Sequence, residues 1–116
     1  MVESKEHTLY RTLPLKVWKA DTFTKRLKGL MFRKTPLHHD ALLITPCNSI
    51  HMCFMFFSID VVFLNEENQI IKSVKRLKPW GFVAPVKGAS ATLELPEGTI
   101  EELALNPGIF LNISID

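Results

Sequence analysis

The chain has 116 residues, 47% of them hydrophobic and 22% charged, with a formal net charge of +2. That length fits one domain, residues 1–116, with a packed core, and leaves no room for a catalytic domain beside a separate binding domain. The composition excludes a disordered, collagen-like or coiled-coil chain, and so mild a charge does not announce a nucleic-acid binder.

The charge is unevenly placed. Residues 1–40 carry +5, residues 41–90 carry +2 and residues 91–116 carry −5. A basic face for an anionic partner is one reading, but no aromatic-studded RNA motif accompanies it, and a dipolar solvated surface is the simpler one. Cys47 and Cys53 are too few and too close for a secreted disulfide framework, so reduced thiols are expected. The opening MVESKEHTLY lacks the basic, apolar and small-residue regions of a signal peptide, and a cytoplasmic location is expected. The apolar stretch from Ala41 to Leu64 is broken by Pro46, Asn48, His51 and Asp60, so it reads as buried strands and not as a membrane span.

In chain order, Leu9–Trp18 alternates loosely and predicts one or two strands interrupted at Pro14. Asp21 or Thr22 caps a predicted helix through Phe23, Leu27 and Leu30, with Gly29 as a C-terminal stop at positive φ. Ala41–Thr45, Ile50–Phe57 and Asp60–Leu64 read as strands. Asn65–Asn68 is a polar turn, and Gln69–Val74 returns as the second arm of a hairpin. Lys78-Pro79-Trp80-Gly81 is a loop signal. Ala91–Leu95 is a strand, Thr99 caps a short helix, and Ile109–Ile115 alternates as a last strand. The sum is about seven short strands and two short helices. It predicts an α+β fold, mostly antiparallel, curled into a small β-barrel or half-barrel that hides its edges.

The chemistry-bearing residues cluster in the middle of the chain. Cys47, His51, Met52, Cys53 and Met55 offer soft ligands of the kind that hold Cu(I) or Zn(II). In an unbroken strand His51, Cys53 and Met55 share one face, which makes them the candidate metal set; buried fillers are the simpler reading. Cys47 or Cys53 with His51 as base and Asp60 as its orienter supplies the residue types of a nucleophilic enzyme, without a helix N-terminus to activate the thiol. Asp60, set among apolar strand residues, needs a backbone donor, a cation such as Arg33, or a pocket. Glu94 lies between Leu93 and Leu95 and faces the opposite way from them, outward or into a pocket. Trp80 either clamps a ligand or seals one end of the fold. No P-loop, Rossmann glycine motif, zincin helix, CxxC or nucleophile elbow occurs.

Several ordered blocks carry a family likeness. Lys28-Gly29-Leu30-Met31-Phe32-Arg33 resembles an "rGLMfR" signature. Cys47-Asn48-Ser49-Ile50-His51, Met55 and Ile59-Asp60-Val61-Val62-Phe63-Leu64 resemble a central block. Leu77-Lys78-Pro79-Trp80 and Leu93-Glu94-Leu95-Pro96-Glu97-Gly98 resemble later ones. Together, over about residues 12–115, they are similar to the domain of unknown function 192. Another branch of that family carries Trp-Met-Lys-Asn-Thr where this chain has His51 to Met55, and only Met52 matches. The resemblance implies a compact β-rich α+β domain and supplies no established activity.

These readings lead to a small non-catalytic binding or accessory domain. Its candidate ligand-binding residues are Arg33, His51, Asp60, Trp80 and Glu94. The alternatives are a Cys–His enzyme and a soft-metal site at His51, Cys53 and Met55. No cofactor, nucleic acid or membrane insertion is expected. The partner is a small molecule or a protein, and the chain is a monomer or homodimer.

Overall fold

A computed structural model describes residues 9–22, 25, 26 and 29–115. Its strands are β1 (Tyr10–Thr12), β2 (Lys16–Ala20), β3 (Asp40–Ile44), β4 (Ile50–His51), β5 (Ile59–Leu64), β6 (Ile70–Leu77), β7 (Phe82–Val83), β8 (Ala91–Pro96) and β9 (Phe110–Asn112). One helix lies wholly within the described residues, α1 (Thr99–Leu103). The central sheet has the order β2-β3-β8-β5-β6; β2 and β3 run parallel and the other pairs antiparallel. β1 pairs with β9 in parallel, and β4 with β7 antiparallel.

The alternation of side chains along the strands puts a separate core on each face of this sheet. Leu43, Leu93 and Val62 lie in register across β3, β8 and β5 and belong to one cluster, closed by Leu13, Ile100, Leu105 and Leu111. One residue along, Leu42, Glu94 and Val61 lie in register on the opposite face. There Val61 and Phe63 pack with Leu30, Leu37, Ile50, Met52, Met55 and Val83. Every residue of β5 is buried, because β5 is covered on both faces.

The expected barrel does not form. A barrel wraps one interior, whereas this sheet is a middle layer between two cores. The C-terminal segment touches its edges through single bridges, Ile115 to Val17 and Phe110 of β9 to Gln69, without closing it. The strands are mostly antiparallel, yet nine are assigned among the described residues against the expected seven or so, several only two or three residues long. The predicted first helix lies largely outside the described residues. Within them, the Thr22 Oγ1 accepts from the Lys25 amide, and Gly29 has φ +48°.

Two further expectations are corrected. Ile50–Phe57 is not one strand: pairing stops at His51, and the Met55 amide donates to the Met52 carbonyl in a turn with Phe54 at φ 61°. Contacts with neighbouring loops override the local β propensity of the aromatics. Thr99 does not cap α1. Its hydroxyl donates to the Pro96 carbonyl, and Gly98 holds the N-cap position at φ 95° without a side-chain cap. The hairpin turn is as read: Asn65 Oδ1 accepts from the amides of Glu67 and Gln69. No helix among the described residues is long and apolar enough to cross a membrane.

Candidate functional site

Three loops meet at one end of the second core. The first, Gly29–Arg33, follows a helical turn at Lys25 and Arg26 and is pinned where the Phe32 amide donates to the Phe54 carbonyl at 3.0 Å. The second, Met52–Met55, hangs on Met52, which is fully buried; its amide donates to the Gly81 carbonyl at 2.8 Å. The third, Lys78–Gly81, returns to it through the Trp80 amide, which donates to the Met52 carbonyl at 2.7 Å. Gly81 is a steric requirement here: a Cβ would lie 2.8 Å from the Lys78 carbonyl oxygen.

Each loop presents one exposed aromatic ring. Phe32 and Phe54 stack at 5.1 Å between centroids, and Trp80 meets Phe54 edge-on at 5.1 Å. All three have left-handed backbones, with φ of 67°, 61° and 67°. For bulky residues this conformation costs about 1–3 kcal/mol apiece and is a mark of functional segments. The rings are 58%, 47% and 63% exposed, so burial returns little of that cost.

Two cavities flank the first loop. A cleft of about 540 Å³ is walled by Trp18, Leu30, Phe32, Leu37, Ala41 and Leu42, with Arg33 and Asp40 as its charged members. The Arg33 Nε donates to the Thr35 carbonyl at 2.9 Å, which orients the guanidinium. A second cavity of about 50 Å³ shares Gly29, Leu30 and Met31 with the cleft and is also walled by Arg26, Ile44, Cys47, Ser49, His51, Met55 and Glu94.

Glu94 is the unusual group. It is 4% exposed, and its Oε1 has no hydrogen-bond partner. Burial penalises its charged form and pushes its pKa from 4.5 up to about 8, so it is mostly a neutral acid at pH 7. The other polar groups on that wall are held. The Cys47 thiol donates to the Ser49 carbonyl at 3.0 Å, and the Thr92 hydroxyl donates to the Cys47 carbonyl at 3.2 Å. His51 Nδ1 accepts from the Cys53 amide at 3.3 Å, so the ring's donor is Nε2.

The structure divides the residues singled out from the sequence. Arg33 lines the cleft, His51 and Glu94 line the small cavity, and Trp80 lines neither of the two but packs edge-on against Phe54. Asp60 lines neither of the two. It pairs with Leu95 on the other face of the sheet and accepts from the amides of Arg76, Gly98 and Ile100 at 3.0, 3.1 and 2.8 Å. It therefore supplies from β5 the cap that α1 lacks. Of the soft-ligand trio, His51 and Met55 reach the small cavity and Cys53 does not, because the strand that would align them ends at His51. No group of three His, Cys, Asp or Glu able to hold a metal ion occurs among the described residues.

Trp18, Phe32 and Asp40 line the cleft, and Phe54 packs on Phe32, without having been singled out from the sequence as site residues. Phe32 carried a usable signal, since it follows the positive-φ Gly29 inside a signature block. Asp40 carried none.

The family model for the domain of unknown function 192, described as an uncharacterized ACR, matches residues 4–113. The chain belongs to this family. An uncharacterised UPF0127 protein of Thermococcus sibiricus is 41% identical over 99 residues, covering 76% of this chain and 62% of that protein. The chain thus spans under two thirds of that relative. A UPF0127 protein of Pyrococcus furiosus is 38% identical over 94 residues, covering 77% of this chain and 78% of its own. A Novosphingobium aromaticivorans protein of unknown function has the same fold, with TM-score 0.72 and 22% identity over 81% of this chain and 71% of its own. A Sinorhizobium meliloti protein, provisionally described as a transcription regulator, matches with TM-score 0.74 and 22% identity over 81% of this chain and 78% of its own. At that identity both establish the fold alone. The family has no established function.

Proposed function

We propose that this protein is a non-catalytic binding domain that takes a small molecule in the cleft under Gly29–Arg33, with Phe32 on its wall and the Phe32–Phe54–Trp80 ring cluster beside it. The observation that carries this reading is the ring cluster: Phe32 stacked on Phe54, Trp80 edge-on to Phe54, all three exposed and each in a strained left-handed backbone. Stability alone gives no reason to keep such a cluster, whereas aromatic surfaces are what recognition sites use. The cleft of about 540 Å³ is within the size range of small-molecule sites, and Arg33 and Asp40 are its polar anchors. In this reading His51 and Glu94 belong to the adjoining cavity. Asp60 serves as a support that fixes α1 and the bend at Arg76.

The test is a screen of small acids, amines and neutral heterocycles against ¹⁵N-labelled protein. Binding predicts amide shifts concentrated at Trp18, residues 29–33 and residues 37–42, weakened in Phe32→Ala. Shifts scattered over the surface, or none at millimolar ligand, would overturn the reading.

A second reading, a thiol enzyme, is favoured by one observation: Cys47, His51 and Glu94 line the same small cavity. Against it, the Cys47 thiol donates to the Ser49 carbonyl at 3.0 Å and not to His51. Rapid alkylation of Cys47 in the native protein near neutral pH would support the enzyme; labelling only after unfolding would end it.

A further inference from the structure

We propose that the small cavity beneath Gly29–Met31 is a head-group subsite for a carboxylate ligand, received by the carboxylic acid of Glu94 with Arg26 and His51 on the same wall. The inference rests on the binding reading above and names the chemistry that one end of the ligand must have.

Three observations carry it. The Oε1 of Glu94 is buried, lacks a partner and lies on a cavity wall, a position that leaves a polar group unsatisfied unless something enters. The space of about 50 Å³ holds a carboxylate or one or two waters, and little more. The described wall is biased toward donors. Arg26 brings a permanent positive charge, the His51 Nε2–H is its ring donor, and a protonated Glu94 donates a third hydrogen bond. A carboxylate accepts from all three and neutralises Arg26, whereas an ammonium ligand would meet a cation already in place. The charged or titratable groups around Glu94 on this wall are Arg26, Cys47 and His51; no second carboxylate is among the described lining residues.

The position of the proton gives the proposal its own signature. A ligand carboxylate and an ionised Glu94 repel each other, so binding needs the proton on Glu94. Glu94 therefore leaves affinity unaffected up to about pH 7, and affinity falls about tenfold per pH unit above pH 8, where Glu94 ionises.

The probe is sodium acetate, with methylammonium chloride as a cation control at equal ionic strength. Both are titrated into ¹⁵N-labelled wild type, Glu94→Gln and Arg26→Met, with the amide spectrum reporting whether each variant folds. The proposal expects acetate shifts at Gly29–Met31, Ser49 and Glu94, and a loss of affinity above pH 8 in wild type. Glu94→Gln, whose amide mimics the protonated acid, should bind within a few-fold of wild type but lose that pH dependence. Arg26→Met should weaken acetate at every pH. Three results would overturn the proposal: methylammonium binding in place of acetate, an unchanged pH profile in Glu94→Gln, or no acetate shift at all, which leaves water as the occupant. If acetate fails while screened compounds still shift Trp18 and Leu42, the binding reading stands and only the head-group assignment falls.

Discussion

Asp60 and Glu94 sit one register step apart on adjacent strands, and the sheet sends them to opposite faces. Both are buried carboxyl groups, 1% and 4% exposed. On the first face Asp60 finds three backbone amides, two of them at the start of α1, and binds the strand, the helix and the bend at Arg76 into one unit. On the second face Glu94 finds no partner for its Oε1 and shares a cavity wall with Arg26, Cys47 and His51. The same functional group is satisfied by the fold in one place and left incomplete in the other. A buried polar group without a partner weakens a fold, so the face that tolerates one is the face that has another use for it. The strained aromatic ring cluster lies at that second core as well, whereas the first core carries ordinary aliphatic packing.

The largest expected effect is on Glu94. Its folded pKa is raised from 4.5 to about 8, so the native state holds a proton that the unfolded chain releases between those values. Stability conferred by that proton is full below pH 4.5 and is lost as pH rises, with a slope approaching about 1.4 kcal/mol per unit. By pH 8 the accumulated loss is roughly 3–5 kcal/mol. Glu94→Gln cannot ionise and should be flat over that range, so it should be more stable than wild type at pH 8 and similar to it at pH 5. Urea unfolding of both proteins at pH 5, 6.5 and 8 checks this, and parallel pH profiles would erase the contrast between the two faces.

Asp60 should behave in the opposite manner. Asp60→Ala leaves three amides, one buried and two half-buried, without an acceptor and should destabilise by about 3 kcal/mol. Asp60→Asn keeps one oxygen but turns an amide nitrogen toward a donor, so it should recover only part of the loss. The same urea titrations decide it. A loss below about 1 kcal/mol would mean that the three bonds are replaceable by water and that Asp60 is no more committed to the fold than Glu94.

This asymmetry was only half visible in the sequence. Leu93-Glu94-Leu95 already showed that Glu94 faces away from its neighbours, because strand parity is local. Whether that face is solvent or a second core depends on which loops cover it, and the loops are set by contacts between distant segments. Asp60 was recognisable as a carboxyl in need of a partner; its partners come from residues 76, 98 and 100, which no local pattern connects to it. The strands at 10–12, 40–44, 59–64, 70–77 and 91–96 were legible from alternation and turn residues. The stretch from Met52 to Phe57 was not. Its aromatic composition reads as strand, while its turn is imposed by hydrogen bonds from Gly29–Arg33 and to Lys78–Gly81.

The smallest effect concerns that stretch and tests whether its strain is real. Phe54 has φ 61° and its ring lies between Phe32 and Trp80. Phe54→Ala removes the ring but keeps a Cβ in the left-handed region; Phe54→Gly removes both. At an ordinary extended or helical position alanine is the more stable of the two. Here glycine should be more stable by about 1 kcal/mol, because it alone adopts this backbone without steric cost. Both variants lose the stacking, worth about 0.5–1.5 kcal/mol in each ring pair, so the difference between them isolates the backbone term. Thermal unfolding of the two variants measures that difference. If alanine proves the more stable, the ring cluster is relaxed and its aromatic character alone must carry the case for recognition. If glycine does, the second face holds both an unsatisfied acid and a strained ring cluster, and the same loops that make it costly are the ones a ligand would contact.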